Sequence, residues 1–561
     1  MTDFRNYVHP YSVKKAFSKK AAYFCSEFAI DQSLKIYSGG LGYLAGSHMR
    51  SAYQLKQAMV GIGILWKYGY YDQERDDQGY MVPKFTEKKY DFLEDTGIQF
   101  EITINNHPVK VKALYLPPKK FGSAPLFLLT TDIPENDFLA QSISHRLYDS
   151  NLDTKIAQYQ LLGIGGAKLL EEIGFKAEVC HLNEAHGLPA AFYEMSKGKT
   201  LEEVRDKFVF TTHTPVAAGN EKHNIFTLER MGFFSGVSLE EVRKISGIHN
   251  EIFDQTLVSL RVSRRANGVS RLHGEVARSM WNPYPGIADI GHITNSQNKK
   301  YWADKDLQAC LIKENVKCLK QRKRKLKEVL FAEVERQTGK KFSPDVLTIV
   351  WARRFAGYKR ADLLLQDYDR FTTMLSRPER PVQVIWAGKP YPLDHSAIST
   401  FNNIIYKSRG IENAAVVTGY ELALSKLLKQ GSDIWFNTPR VPREASGTSG
   451  MTAAMNASVN VSTNDGWIPE FAKHEHNAFV VPVANPRWSE EEVDNFDRDN
   501  FFRILDEEII PIYYEQPEKW WEIVVNSMTE VVPYFDSDRM ATQYYDMLYA
   551  SRKKKAAKLA V

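Results

Sequence analysis

Cysteine is scarce in this chain: four residues, Cys25, Cys180, Cys310 and Cys318, in a sequence of 561. They form no C-x-x-C pair and no metal-ligand spacing, which excludes a disulfide scaffold and gives no metal site; four thiols in so long a chain fit a reducing compartment. Long apolar runs are also missing. No stretch approaches the ~20 apolar residues of a membrane span, and the N-terminus, MTDFRNYVHPYSVKK, has no apolar signal core. A cytoplasmic protein without membrane contact is expected. There is little excess charge of either sign: 73 basic against 68 acidic residues, a formal net of +5, too balanced for a nucleic-acid partner. The two basic runs, Lys317–Lys327 and Arg552–Lys558, read as solvated helix faces. Internal repeats and low-complexity linkers are absent as well.

What is present is an ordinary globular composition, 43% hydrophobic and 25% charged, long enough for two or more domains. Strand candidates in the N-terminal half are 109–115, 125–130, 177–182 and 207–212, with a helix over 158–173. A second series, 346–351, 382–387, 414–418 and 433–437, begins near Pro344 and is followed each time by a loop, with a helix expected to start near Arg360. Short apolar runs alternating with helices predict doubly wound parallel sheets, whose ligand loops leave the carboxyl ends of the strands. The lysine-rich stretch 303–342 separates the halves, so domains of 1–302 and 303–561 are expected.

Three loops carry chemistry. Glu444-Ala445-Ser446-Gly447-Thr448-Ser449-Gly450-Met451-Thr452 follows an apolar run and enters a helical pattern. Such a loop offers backbone N–H groups and a helix N-terminus to an anion, usually a phosphate, and Glu444 can accept from sugar hydroxyls. Ser38-Gly39-Gly40-Leu41-Gly42 allows close backbone approach to a ligand. Arg354 and Lys359 follow a strand candidate, where basic residues favour anion binding over a solvated helix start. His181, His186 and His273 read as satisfied core histidines, Glu27 and Glu184 as buried carboxylates paired with nearby Arg or Lys, and the aromatics at 66, 68, 70 and 71 as packing.

The 444–452 stretch resembles the E-A-S-G-T-(G/S)-(N/G)-M-K signature of the α-glucan phosphorylases. The resemblance recurs in order through residues 23–73, Asp132–Asn136, Leu162–Gly166, His181–His186, Thr211–Pro215, Asn267–His273, Arg354–Arg360, Gly388-Lys389 and Asn437–Pro439, covering roughly 20–490. It implies the GT-B architecture: two Rossmann-like domains facing across a catalytic cleft, with a last helix, here within Trp520–Ala550, that commonly crosses back. It implies that Arg354 and Lys359 grip the reacting phosphate with the Gly40 N–H, and that His213 contacts a sugar hydroxyl and stabilises positive character at the anomeric carbon. Glu444, Ser446, Gly447, Asn295 and Leu41 would bind the glucosyl unit, while Arg353, Thr448 and Ser449 would hold the phosphate of pyridoxal phosphate.

The family's cofactor lysine is Thr452 here. A hydroxyl forms no imine, and no lysine lies between Lys429 and Lys473, so no covalent attachment is expected. The family's T-N-G-V-H, R-x-x-Q-E and G-K-A-H-P stretches are Thr294–Asn298, Lys155–Tyr159 and Gly388–Pro392. The implied activity is retaining α-1,4-glucan phosphorolysis, with glucan or maltooligosaccharide and phosphate or glucose 1-phosphate as partners and room for a homo-oligomer. Two alternatives stay open: a glycogen-synthase-like glucosyltransferase whose nucleotide-glucose occupies the cofactor pocket, and a catalytically silent glucan-binding protein.

Overall fold

The structure, a computed structural model, describes residues 3–550; the basic run Arg552–Lys558 lies outside them. Two compact units divide the chain. The first holds the described residues up to Tyr70, then Phe85–Asn295, then those from Ser537 onward; the second holds Tyr71–Lys84 and Ser296–Asp536. The division therefore differs from one cut after residue 302: the segment 71–84 goes with the second unit and the chain end with the first.

The first unit is built on a nine-stranded sheet. Its strands are β1 (Ala21–Phe24), β2 (Met59–Ile64), β3 (Glu94–Ile104), β4 (His107–Leu116), β5 (Leu126–Thr130), β6 (Val179–Asn183), β7 (Phe208–Thr211), β8 (Ala266–Gly268) and β9 (Ile290–His292). The order is β9-β8-β7-β6-β1-β2-β5-β4-β3, parallel except for the pairs β3·β4 and β4·β5. β1, β2, β5, β6 and β7 are buried along their whole length, as expected for parallel strands covered on both faces. Helix α1 (Gly40–Leu55) starts inside the glycine-rich loop. The chain end is pinned within this unit by Ser51 Oγ–Ser537 Oγ (2.6 Å) and Gln57 Nε2 donating to Ala541 O (3.1 Å).

The second unit has β10 (Leu347–Ala352), β11 (Val382–Ala387), β12 (Ala414–Val417), β13 (Ile434–Asn437), β14 (Val459–Ser462) and β15 (Ala478–Val480). All pairs are parallel and the order is β12-β11-β10-β13-β14-β15. Read in chain order this is 3-2-1-4-5-6, the Rossmann arrangement. The α/β class read from the sequence is borne out. Four helices matter here: α2 (Lys299–Trp302), α3 (Val316–Thr338), α4 (Leu422–Gly431) and α5 (Thr448–Ala454). Leu330 and Val334 of α3, Leu424 and Leu428 of α4, and Ala453 of α5 close one core with Val350, Ile385 and Trp435.

Three sequence expectations are corrected. The basic face of α3 is not wholly solvated. Lys323 donates to the carbonyls of Gln430 and Asn456 (2.9 Å each), and buried Lys327 pairs with Asp433 at 2.5 Å. The structure joins Cys310 to Cys318 as a disulfide between the helix Lys305–Ile312 and α3, leaving Cys25 and Cys180 as buried thiols. No helix starts at Arg360; the next α-helix begins at Tyr368. Arg360 is instead buried and paired with Asp494 (2.8 Å) and Asp497 (2.7 Å). No helix among the described residues is long and apolar enough to cross a membrane.

Candidate active site

In the second unit the strand order reverses between the parallel neighbours β10 and β13, which makes their carboxyl ends the topological switch point. Arg353 leaves β10 there and Asn437 ends β13. Arg353 Nη2 donates to Asn437 Oδ1 (2.5 Å) and, more weakly, to Ser449 Oγ (3.4 Å); its Nη1 reaches Glu444 Oε2 at 3.3 Å. Lys359 Nζ donates to the same Glu444 oxygen at 2.8 Å. Arg354, exposed beside them, adds its charge. Burial alone would raise the Glu444 pKa, but the charges of Lys359, Arg353 and Arg354 outweigh it and hold the carboxyl below its ordinary value. Glu444 is therefore an anion wherever the fold persists near neutrality.

The loop is held by a residue that sequence reasoning missed. Asp465 Oδ2 accepts from the Glu444 N–H (2.8 Å), and its Oδ1 accepts from its neighbour Gly466 (2.8 Å). Burial pushes Asp465 up to about 7; its backbone hydrogen bonds oppose this and the Glu444 charge adds to it. The available signal was an Asp-Gly pair just after the short Val-Asn-Val-Ser segment 459–462. Gly447 turns the chain into α5 at φ +84°, in the left-handed region that a side chain disfavours. Ser446 is buried with no hydrogen-bond partner for its Oγ, and Arg353 Nε is likewise buried and unpartnered. Both atoms are open to a hydrogen bond from a ligand or a water.

Thr448 and Ser449 open α5, and Thr452 lies one turn on, buried, its Oγ1 donating to Ser449 O at 2.9 Å. An anionic group beside Ser449 would find the Arg353 guanidinium, with an Nε–H still to donate. That end fits the phosphate of pyridoxal phosphate. The aldehyde end does not fit position 452, which has no amine and whose hydroxyl is bonded to its own helix. With only seven residues, α5 contributes a modest dipole, so Arg353 carries most of the attraction.

The remaining predicted residues lie in the first unit. Gly40 is the exposed first residue of α1 and a Cβ there would meet nothing within 4 Å, so its backbone is open to a ligand; Leu41 follows it. Buried Glu27 shapes this loop by accepting from Ser38 N (2.6 Å), Gly39 N (3.2 Å) and Tyr148 Oη (2.6 Å). His213 follows β7; its Nε2 lies 2.7 Å from Asn183 Oδ1, and burial pushes it down to about 3, so it is neutral. Its backbone N–H donates to Glu184, which burial raises to about 7. Glu27 and Glu184 are thus held by N–H and hydroxyl donors, a correction to the Arg or Lys pairing expected for them. Asn295 is buried with Oδ1 unpartnered. His181 is satisfied by Tyr549 (2.8 Å) and Thr211 (2.7 Å), as expected. Half-buried His186 is hydrogen-bonded through Nδ1 to Ser26 Oγ (3.2 Å) and lines a small cavity with Trp66 and Tyr159, and buried His273 accepts from Val269 N–H at Nδ1 (3.2 Å) with Nε2 unpartnered.

A family model described as carbohydrate phosphorylase matches residues 290–483. Maltodextrin phosphorylase of Thermococcus litoralis is 32% identical over 98% of this chain and 73% of its own length. This chain belongs to the carbohydrate phosphorylase family. An uncharacterized protein of Methanocaldococcus jannaschii is 47% identical over 95% of the chain and all of its own length. Glycogen phosphorylase of Aquifex aeolicus is 28% identical over 98% of the chain and 88% of its own. The family's members are glycosyltransferases. Its matched region spans the loops after β10 and β13, including Arg353, Lys359, Glu444 and Thr452.

Proposed function

We propose that the protein transfers glucosyl units reversibly between the end of an α-1,4-glucan and phosphate, with retention at the anomeric carbon. The observation that carries this reading is the cluster of Arg353, Arg354 and Lys359 around Glu444 at the switch point. It pairs a cationic clamp for a reacting phosphate with a carboxylate suited to sugar hydroxyls. Arg354 adds its charge to the phosphate clamp. Lys359 then divides its donors between phosphate and Glu444, which fixes the sugar relative to the anion. Fixed cations where charge develops lower the barrier without a protein nucleophile. Gly40, Leu41, His213 and Asn295 are assigned to phosphate and glucosyl contacts by the same motifs. The similarity to maltodextrin and glycogen phosphorylases supports the glucan as partner, and the cytoplasm is the compartment we assign.

When bound, pyridoxal phosphate supplies a second phosphate as proton shuttle. Arg353, Thr448 and Ser449 would hold that phosphate here, and Thr452 gives it no tether. The missing amine is also the observation favouring a second reading, a nucleotide-glucose donor whose distal phosphate takes the Arg353 position. Assaying the protein in parallel with glucose 1-phosphate and with nucleotide-glucose donors, on maltooligosaccharide acceptors, separates the two. Turnover with glucose 1-phosphate is expected; turnover with the nucleotide donor alone would replace the phosphorylase reading, and turnover with neither would leave a glucan-binding protein.

A further inference from the structure

We propose that Asn183, backed by Cys25, is a positioning residue for His213: it fixes the imidazole as the Nε2–H tautomer, so that Nδ1 meets the glucosyl unit as a hydrogen-bond acceptor and the hydroxyl read there must donate. The proposal deepens the glucosyl reading of His213 given above and rests on it.

The register of the first sheet brings the three residues together. β1, β6 and β7 are adjacent and parallel; Phe24 lies opposite Leu182, and Asn183 lies opposite Thr211. Cys25, Asn183 and His213 therefore sit at one carboxyl edge of the sheet, where ligand loops leave it. Asn183 is buried and uses both ends of its amide. Its Nδ2 donates to Cys25 Sγ (3.2 Å), and its Oδ1 lies 2.7 Å from His213 Nε2. Cys25 Sγ in turn donates to Glu27 O at 3.1 Å.

The direction of this chain follows from its last member. A backbone carbonyl only accepts, so the single thiol proton points at Glu27 O. Burial pushes the Cys25 thiol up to about 12, which keeps that proton in place near neutrality. The sulfur is left as the acceptor for Nδ2 of Asn183, and this turns Oδ1 toward the histidine. An amide oxygen also only accepts, so His213 Nε2 carries a proton. Burial holds the ring neutral, and a neutral imidazole protonated on Nε2 keeps a lone pair on Nδ1. Among the described residues Nδ1 has no hydrogen-bond partner, and the His213 side chain is only half-buried. Glu184 accepts from the His213 backbone N–H, so consecutive residues hold the ring and the backbone separately. Glu27 serves twice: its carboxylate shapes the glycine-rich loop, and its carbonyl sets the polarity of the chain that ends at His213.

The test is histidine-selective ¹⁵N labelling of the full-length protein, with ring nitrogens read by two-bond ¹H–¹⁵N correlation at neutral pH and His213 assigned by its loss in His213→Gln. The expected result is a protonated Nε2 and a bare Nδ1. Cys25→Ser should keep that pattern, since a hydroxyl also donates to a carbonyl and accepts from an amide, whereas Asn183→Leu should bring the two nitrogens toward a common average. A proton on Nδ1 in the wild type, or an unchanged pattern in folded Asn183→Leu, would overturn the proposal; the wild-type spectrum decides even where that variant fails to fold. Deoxy and deoxyfluoro glucose 1-phosphates supply the kinetic arm. Fluorine accepts weakly and cannot donate, so it gains nothing from an Nδ1 lone pair. In Asn183→Leu, where Nδ1 can carry the proton, the fluoro-to-deoxy ratio of kcat/KM should rise about three- to tenfold over the wild-type ratio at one hydroxyl position alone. Comparing ratios between the two proteins cancels the inductive effect of fluorine, and equal ratios at every position would also overturn the proposal. The spectrum needs no substrate, so the two readings fail separately. An Nδ1–H tautomer with glucose 1-phosphate turnover sinks this inference alone, whereas the Nε2–H tautomer without turnover sinks the phosphorylase reading alone.

Discussion

Replacing Glu444 by Gln should separate sugar recognition from phosphate binding. In the structure Glu444 Oε2 takes Lys359 at 2.8 Å and Arg353 at 3.3 Å, so an incoming phosphate competes with a resident carboxylate for the same cations. A hydrogen bond to a charged group contributes about 1.5–3 kcal/mol, or roughly 10- to 100-fold at about 1.4 kcal/mol per tenfold. Removing the charge relieves Lys359 of that partner, so phosphate should bind up to about tenfold more tightly. The sugar loses its anionic acceptor, and turnover should fall on the order of 10²–10³. Phosphate titration followed by thermal shift reads the first quantity; initial rates with glucose 1-phosphate and maltooligosaccharide read the second. If phosphate affinity and turnover fell together by similar factors, Glu444 would be organising the loop and not reading the sugar, and the reasoning would be refuted.

The same site gives three further expectations. Arg354→Ala and Lys359→Ala should each reduce transfer by about 10²–10³, and near-normal rates in both variants would place the donor phosphate elsewhere. Asp465, raised from 3.8 to about 7, holds its proton more tightly folded than unfolded. Its stabilising contribution is therefore present below pH ~4 and is lost as pH rises through 7, by on the order of 4 kcal/mol at about 1.4 per unit. Chemical denaturation across that range should show Asp465→Asn gaining on the wild type as pH rises, and a pH-independent gap would contradict the assignment. Lys327→Met leaves Asp433 as an uncompensated charge in the α3 core and should destabilise the second unit by about 3–5 kcal/mol. An unfolding curve superposed on the wild type's would show that the pair is dispensable.

The strands were legible because parallel strands buried on both faces must be written as continuous apolar runs. The predicted 382–387 coincides with Val382–Ala387, and 433–437 and 346–351 differ from β13 and β10 by one residue. Ligand loops follow such strands, so Arg353, Lys359 and Glu444 could be nominated together although about ninety residues separate the first from the last. Long cationic side chains were harder to read. A lysine's charge is evident in sequence, but whether its stem snorkels to water or crosses a core depends on what the fold lays opposite it. Lys323 and Lys327 therefore looked like solvated members of a basic run, and Arg360 like the start of a helix. The Cys310–Cys318 pair was missed for a related reason: a separation of eight positions signals nothing until two helices fold back on each other.

Thr452 shows the limit most sharply. The sequence reports the loss of an amine at one position of a nine-residue motif, and on that basis the cofactor loses its tether. In three dimensions the motif is only one wall of its pocket. Arg353 and Asn437, at the ends of β10 and β13, form another, and they keep the cation beside Ser449 whether or not position 452 carries an amine.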